Sequence, residues 1–469
     1  MIERMPLPPE PSRCPLWQTL AWGARPLAFM ARNREEIGSA FSVRFLGFER
    51  PMVLVSDPAA VKALYTERRN GLPPGRRFAL EPVLGERSVL LLEGEEHMAR
   101  RRLMLPPFHG ERMRSYEAVV GEIIGAEIDS WQLGREFPIH ARMQAVTLEV
   151  ILRAVFGVDQ GERLDGLRVM LRDLLVDIGS ARRQLLAVVA RRRGRDPLED
   201  VRARLAEVDE LLFAEIAEHR RRPDLGERDD ILAMLMTASF EDGLSAERPS
   251  EIAGDDEREG AKRESDDRMD DKELRDQLMT LLMAGHETTA TALAWTFDLL
   301  LRHPVELGRL RMSLEAGEEA YLKATITESL RLRPVIPIAG RRLAEDLVTE
   351  DLELPAGTDV TAAIWLTHTD PAIYPEPFAF RPERFLEAAP ETYAWIPFGG
   401  GVRRCLGAAF AEFEMRIVLR EVLTRCELRK ADPSPEKTGR RNITFSPRAG
   451  TPVVVESRRP ARESTPLAA

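Results

Sequence analysis

The chain has 469 residues, of which 44% are hydrophobic and 31% charged, and its formal net charge is −10. These values are typical of a globular protein with a large buried core, and the negative balance argues against nucleic acid as a partner. Three scattered cysteines, at positions 14, 405 and 426, exclude a disulfide framework and a zinc site of paired cysteines, so a reducing, cytoplasmic compartment is expected.

The first part of the chain predicts an extended segment followed by two strands. Residues 1–15 are rich in proline, and the longest uncharged run near the start, 14–24, is shorter than the roughly 20 residues that cross a membrane, so neither signal peptide nor membrane anchor is expected. Residues 41–45 alternate apolar and polar side chains as a half-buried strand does, and 52–55 is predicted to pair with them.

From Asp57 onward, apolar residues recur every three or four positions over most of the chain, which predicts a mainly α protein. Late segments such as 453–455 would complete a small β region. Residues 247–271 are dominated by Asp, Glu, Arg, Ser and Gly and are predicted to be a disordered insertion, and 458–469 a flexible tail.

A long helix is predicted to follow the insertion. Asp270 can cap it, Glu273 stands three residues later as in a capping box, and the helix should end near Arg302, before Pro304. In its stretch 277–297 the only ionisable groups are a histidine and a glutamate, which favours burial in a protein core over a place in lipid.

Two short motifs on helices carry polar groups. In the segment Ala284-Gly285-His286-Glu287-Thr288-Thr289, small residues leave room beside the helix, and Thr288 can donate to the carbonyl four residues back. In Glu328-Ser329-Leu330-Arg331, the charged ends share one helix face before Arg333-Pro334 ends the helix. Such pairs are often solvated surface bridges, and a Glu-Thr pair is often structural.

The most specific motif is Phe398-Gly399-Gly400-Gly401-Val402-Arg403-Arg404-Cys405-Leu406-Gly407. Three glycines allow a tight turn and a close approach to a flat ligand, and nearby N–H groups with the start of a helix favour a thiolate at Cys405. An inert buried cysteine is the alternative interpretation. A phosphate loop is excluded because no Gly-Lys-Ser or Gly-Lys-Thr follows.

These ten residues match the haem-binding signature Phe-x-x-Gly-x-Arg-x-Cys-x-Gly of the cytochromes P450. The chain also resembles this family at 284–289, at 328–331 and at Pro382-Glu383-Arg384-Phe385, in the family's order. The resemblance implies the cytochrome P450 fold, a single mainly α domain over 1–469 with small β-sheets.

The resemblance also implies roles for individual residues. Cys405 would be the axial ligand of haem b (iron protoporphyrin IX), Glu287 and Thr288 would be catalytic and deliver protons, and Glu328, Arg331 and Arg384 would form a buried structural network. The remaining haem contacts would be Phe398, Gly399, Arg403, Ala284 and Gly285, with His97, Arg101 and Arg342 on the propionates; Arg341 could replace Arg342.

The implied activity is monooxygenation: one atom of O2 enters a lipophilic substrate by hydroxylation or epoxidation. The stretch 103–113 is similar to soluble bacterial members that act on fatty acids, terpenoids or polyketide intermediates. The pocket implied for such a substrate is mostly apolar and is formed by Phe78, Leu281, Leu282, Ala284, Val335, Ile336, Ile338 and Phe445.

Electrons would come from NAD(P)H through a separate reductase and a ferredoxin or flavodoxin, because only 64 residues follow Cys405. Arg100, Arg102 and Arg404 could dock an acidic partner, or could be ordinary solvated arginines. A monomer is expected. The alternatives are a peroxide-using relative, which typically lacks the pair of Glu287 and Thr288, and a haem-binding protein without enzymatic activity.

Overall fold

The structure is a computed structural model that describes residues 6–73, 76–108, 112–157, 165–171, 174, 199–238, 268–441 and 443–460. It is mainly helical, as predicted. The α-helices are α1 Pro15–Ala24, α2 Pro26–Ile37, α3 Pro58–Thr66, α4 Arg76–Leu84, α5 Gly94–Met104, α6 Arg112–Ser130, α7 Ile139–Phe156, α8 Glu199–Arg221, α9 Ile231–Thr237, α10 Asp271–Arg302, α11 Pro304–Glu315, α12 Ala320–Leu332, α13 Ile364–His368, α14 Arg384–Glu387 and α15 Ala408–Arg425.

The strands are short. They are β1 Ala40–Val43, β2 Met52–Val55, β3 Glu136–Pro138, β4 Ala339–Arg342, β5 Leu347–Val348, β6 Glu353–Leu354, β7 Asp359–Ala362, β8 Cys426–Lys430, β9 Thr438–Arg441, β10 Thr444–Pro447 and β11 Pro452–Arg458. The chain divides into two compact units. The first comprises Met1–Ala79, His303–Cys405 and Ile443–Ser446, and the second Leu80–Arg302, Leu406–Asn442 and Pro447–Ala469.

A four-stranded sheet in the order β1-β2-β7-β4 organises the first unit. The predicted pairing of the early strands is confirmed, since β1 runs antiparallel to β2 with Phe41 opposite Leu54. Side chains of β2 alternate between two cores, as strand geometry requires. Val53 and Val55 pack with α3. Leu54 packs with the aromatic cluster around α2, which includes Trp22, Phe29 and Phe45. Both faces of this sheet are therefore covered.

Helix α10 is the main element of the second unit and packs along α7. Its start and end agree with the sequence, since Asp270 Oδ1 accepts from the N–H of Glu273 at 2.8 Å and the helix ends at Arg302. The Glu273 carboxylate is engaged by Arg100 of α5. At Gly285 the two helices approach so closely that a Cβ would lie 3.3 Å from Ile151 of α7.

Three segments predicted from the sequence, 1–15, 247–271 and 458–469, lie partly outside the described residues. Of the insertion 247–271, only 268–271 are described, and of the tail 458–469, only 458–460. Residues 6–14 form no helix or strand and run beside β1, whose Ser42 N–H donates to the carbonyl of Pro9 at 2.9 Å. The single-domain organisation stays a prediction. Across the part of the chain that the structure describes, each helix is too short or too polar to cross a membrane.

Candidate haem-thiolate site

The loop before α15 presents Cys405 as an exposed thiol in the first unit. Its own N–H donates to the carbonyl of Phe398 at 2.9 Å, and the N–H of Arg404 donates to the carbonyl of Gly401 at 3.0 Å. These two bonds close the loop on itself. The cysteine side chain is thus carried by a fixed turn.

Glycine is required at this turn for two physical reasons. Gly399 and Gly401 have φ values of 67° and 64°, which side chains rarely allow. In addition, a Cβ on Gly401 would lie 1.8 Å from the carbonyl oxygen of Tyr65, and one on Gly400 would lie 2.4 Å from the Tyr65 ring. The loop can therefore pack on α3 only with these glycines.

Two neighbouring arginines of β4 point to opposite sides of the strand. Arg342 forms a bidentate pair with Asp359, its register partner on β7, at 2.8 and 2.9 Å. Arg341 is buried, lies 5.3 Å over the ring of Tyr65, and makes no ion pair with a carboxylate among the described residues. Burial lowers the pKa of the Arg341 guanidinium, and the nearby Tyr65 acts in the opposite direction. This buried cation is suited to an anionic ligand.

The Glu-x-x-Arg pair of α12 is buried, whereas an exposed pair was the alternative. Arg331 Nε and Nη2 donate to the two carboxylate oxygens of Glu328 at 2.7 and 2.8 Å, and Arg384 Nε donates to Glu328 at 3.2 Å. Arg331 also donates to the carbonyls of His368 and Pro377, both at 2.7 Å. These bonds tie α12 to the segment before α14.

In the second unit, one stretch of α10 interrupts an otherwise buried helix. Ala284 is exposed and Thr288 is half-buried, whereas the residues at 273–282 and 289–300 are buried. Thr288 Oγ1 donates to the carbonyl of Ala284 at 2.7 Å, as the sequence predicted. Open space therefore adjoins this face, and a hydroxyl and a small side chain line it.

Glu287 faces α7 and the edge strand β9. Its carboxylate accepts from Gln144 Nε2 and, at 3.4 Å, from Thr291 Oγ1. Its Oε1 lies 3.7 Å from His140 Nε2 and 3.8 Å from Arg441 Nη1. Burial raises the pKa of Glu287, and Arg441, Gln144 and Thr291 oppose the shift.

The two histidines beside Glu287 are neutral. Burial, followed by the nearby charge of Arg441, lowers the pKa of His140 to about 3. Burial lowers the pKa of His286 to about 4. Arg441 is therefore the cation that faces this carboxylate.

The other residues assigned from the sequence are distributed over both units. In the second unit, His97 is buried on α5, where Arg101 is half-buried one turn later, and Leu281 and Leu282 are buried on α10. In the first unit, Phe445 donates its N–H to the carbonyl of Val335 at 2.8 Å, Ile336 and Arg403 are half-buried, and Ile338 packs with the aromatic cluster around α2. The side chain of Phe78 lies outside the described residues.

These residues fit a haem. Cys405 is exposed on its loop, and its thiolate form would be a suitable ligand for haem iron. Arg341 supplies a buried cation that suits a propionate. Within the described residues, the His, Cys, Asp and Glu side chains form no cluster of three that would suit a metal bound directly by protein.

Comparison with known proteins identifies a family. The family model for cytochrome P450 matches residues 8–450. Cytochrome P450 135B1 of Mycobacterium tuberculosis is 38% identical over 463 residues, which cover 97% of this chain and 92% of the relative. Cytochrome P450 138 of the same organism is 34% identical over 464 residues, which cover 96% and 97%.

Solved structures share the fold. The haem domain of cytochrome P450DA aligns with a TM-score of 0.81 at 22% identity and covers 98% of this chain and 99% of its own. The retinoic acid-bound cyanobacterial CYP120A1 aligns with a TM-score of 0.78 at 22% identity and covers 96% and 99%. Given the matched length, the relatives and the cysteine loop, this chain belongs to the cytochrome P450 family of haem-thiolate monooxygenases.

Proposed function

We propose that this monooxygenase oxidises a lipophilic small molecule of the fatty-acid, terpenoid or polyketide class. Electrons come from NAD(P)H through a separate reductase and a ferredoxin or flavodoxin. The observation that carries the proposal is the pair of Glu287 and Thr288 on α10. Thr288 lies on the open face of the helix, and burial raises the pKa of the neighbouring carboxyl, which favours its proton-carrying form.

We assign haem b to Cys405. When bound, haem supplies the activation of dioxygen with two electrons and two protons. Thr288 positions a proton at its hydroxyl, and Glu287 replenishes it. The small side chain of Ala284 leaves room beside Thr288, whereas the Cβ position of Gly285 faces Ile151 of α7.

Val335, Ile336 and Phe445 of the first unit are proposed to contact the substrate, and so, separately, is Leu281 of the second unit. Their apolar side chains would exclude water. Ile338 is a weaker candidate because it packs in another core.

The proposed electron route is tested by comparing two ways of driving the reaction. A panel of fatty acids, terpenoids and polyketide intermediates is screened for a spin-state change in the haem spectrum, and the best compound is used as substrate. Product should form faster with NADPH, reductase and ferredoxin or flavodoxin than with hydrogen peroxide alone. Glu287→Gln should slow the NADPH-driven reaction about 100-fold, because proton transfer is lost. Faster turnover with peroxide, unaffected by Glu287→Gln, would contradict the proposal.

Arg404 is the better candidate of the basic residues for docking the electron donor. It is exposed on the loop that carries Cys405, whereas Arg100 is already paired with Glu273. Exposed cations attract acidic partners and raise association rates in a salt-dependent way. Arg404 is therefore the first position for a charge-reversal test.

For the propionates, we assign Arg341 in place of Arg342. Arg341→Leu should speed haem loss, measured by transfer to apomyoglobin, by about 10- to 100-fold, because a charged hydrogen bond contributes roughly 1.5–3 kcal/mol. Arg342→Leu is the matched control on the same strand as Arg341, since it breaks only the pair with Asp359 of β7 and should retain haem. Rapid haem loss from the Arg342 variant alone would reverse the assignment.

A further inference from the structure

The carboxyl group of Glu287 is held on the α7 side of α10 by hydrogen bonds that proton transfer to Thr288 would not require. Gln144 donates to Oε2, and Thr291 donates to Oε1 at 3.4 Å, so both oxygens are engaged. The side chain of Glu287 is 23% exposed, which is unusual beside the buried stretches of α10. Glu287 thus has a defined resting position and access to solvent.

Strand β9 lies beside this position. Arg441 of β9 places Nη1 3.8 Å from Glu287 Oε1, and its side chain is 42% exposed. The groups that face the carboxyl from the other elements are His140 of α7 and His286 of α10, both neutral. Among them only Arg441 joins Glu287 to the outside, since His140 is buried and hydrogen-bonds Thr291 at 3.1 Å.

We propose that Gln144 and Arg441 are positioning residues for Glu287, and that protons reach its carboxyl along the β9 edge beside Arg441. Gln144 holds the Glu287 carboxyl in its resting position. There the carboxyl takes up a proton, and it then passes the proton to Thr288. The guanidinium of Arg441 keeps the carboxyl ionisable despite burial. This inference rests on the proposed role of Glu287 as proton donor.

The two contacts have a consequence that can be measured without substrate. A donor to a carboxylate and a nearby cation both favour its charged form, so the loss of either favours the acid. In the ferric haem-loaded protein, the infrared carboxylic-acid band of Glu287 is identified by its disappearance in Glu287→Gln. Gln144→Leu and Arg441→Gln should each move the pH midpoint of this band upward by about one unit, which is tenfold in the ionisation equilibrium.

The second readout is the fate of dioxygen. Two electrons and two protons reduce dioxygen to hydrogen peroxide, and four of each reduce it to water. With NADPH, reductase and ferredoxin and no added substrate, the share of consumed dioxygen released as peroxide reports how protons are delivered. Gln144→Leu and Arg441→Gln should both increase this share, and Gln144→Asn, which is too short to reach the carboxyl, should act like Gln144→Leu.

Two controls separate positioning from packing. Thr147→Val removes a different hydrogen bond between α7 and α10, the 2.8 Å bond to the carbonyl of His286, and should leave the band midpoint unchanged. Arg429→Gln removes an exposed guanidinium of β8 that pairs with Glu456, and should likewise have no effect on the midpoint.

The outcomes separate a failure of the proton-donor role of Glu287 from a failure of the positioning roles of Gln144 and Arg441. If Glu287→Gln leaves the peroxide share unchanged, Glu287 does not deliver protons and the proposed function of this residue fails. If Glu287→Gln changes the share, but the Gln144 and Arg441 variants alter neither the band nor the share, the positioning inference alone is overturned. A shift of the band with Thr147→Val as large as with Gln144→Leu would also overturn it.

Discussion

Replacing Cys405 by serine abolishes the absorption band that the reduced protein shows with carbon monoxide near the wavelength for which the family is named. The thiolate donates electron density to haem iron, and a serine hydroxyl at the same position of the loop does not. Monooxygenase activity should disappear together with the band. Both are measured on purified protein, by difference spectrum and by product formation.

A second exposed cysteine provides the control. Cys14 is exposed just before α1. Cys14→Ser therefore makes the same replacement of sulfur by oxygen outside the cysteine loop, and it should leave the band unchanged. A Cys405→Ser protein with an unaltered band would show that the sulfur of this loop is not the haem ligand.

Replacing Glu328 by alanine should lower the free energy of unfolding by about 3–5 kcal/mol, because it leaves the buried guanidiniums of Arg331 and Arg384 without their counter-charge. Glu328 and Arg331 are fully buried, with side-chain exposure of 0% each. A loss of this size is a large fraction of a typical stability of roughly 5–15 kcal/mol. Little haem-loaded protein should be recovered, as judged by urea denaturation and by haem content.

Glu383 offers a matched control in the adjacent segment. It pairs with Arg309 at the surface, where the two side chains are 24% and 50% exposed, and it accepts from Tyr321 at 2.9 Å. Because solvent screens an exposed pair, Glu383→Ala should cost only about 1 kcal/mol or less. A normal yield and stability for Glu328→Ala, or an equal loss in both variants, would contradict the structural role of the buried network.

Local signals in the sequence were sufficient for the elements and for the cysteine loop. The alternation of β1, the proline and acidic residues at the start of α3 and the cap of α10 depend on neighbours within about one turn, which the sequence displays directly. The glycines around Cys405 were likewise readable, although their reason is non-local: Gly401 packs on the backbone of Tyr65.

Choices between neighbouring residues needed the structure. Arg341 and Arg342 are equally basic, and the sequence favoured Arg342. Adjacent residues of a strand face opposite sides, and the register with β7 places Arg342 beside Asp359 and leaves Arg341 buried over Tyr65. Similarly, Glu273 has the spacing of a capping box, yet its carboxylate is engaged by Arg100.

The surroundings of Glu287 could not be read from the sequence. Gln144 and His140 are one turn apart on α7, and Arg441 lies in β9, more than a hundred residues from either. Their spacing is that of any helix face, and no motif marks them. They become part of the site only because α7 packs along α10 and β9 lies at its edge.

By itself, the sequence determined that this protein is mainly α and carries a glycine-rich cysteine loop, because turns, caps and helical spacing are properties of short stretches. The roles expected of that loop and of Glu287 and Thr288 came from the resemblance to the cytochromes P450. Tertiary packing decided which arginine is buried without a carboxylate, that the Glu328 network is internal, and which side chains hold Glu287. These features depend on contacts between segments that are far apart in the sequence. Burial then sets how strongly each charge interacts with its neighbours.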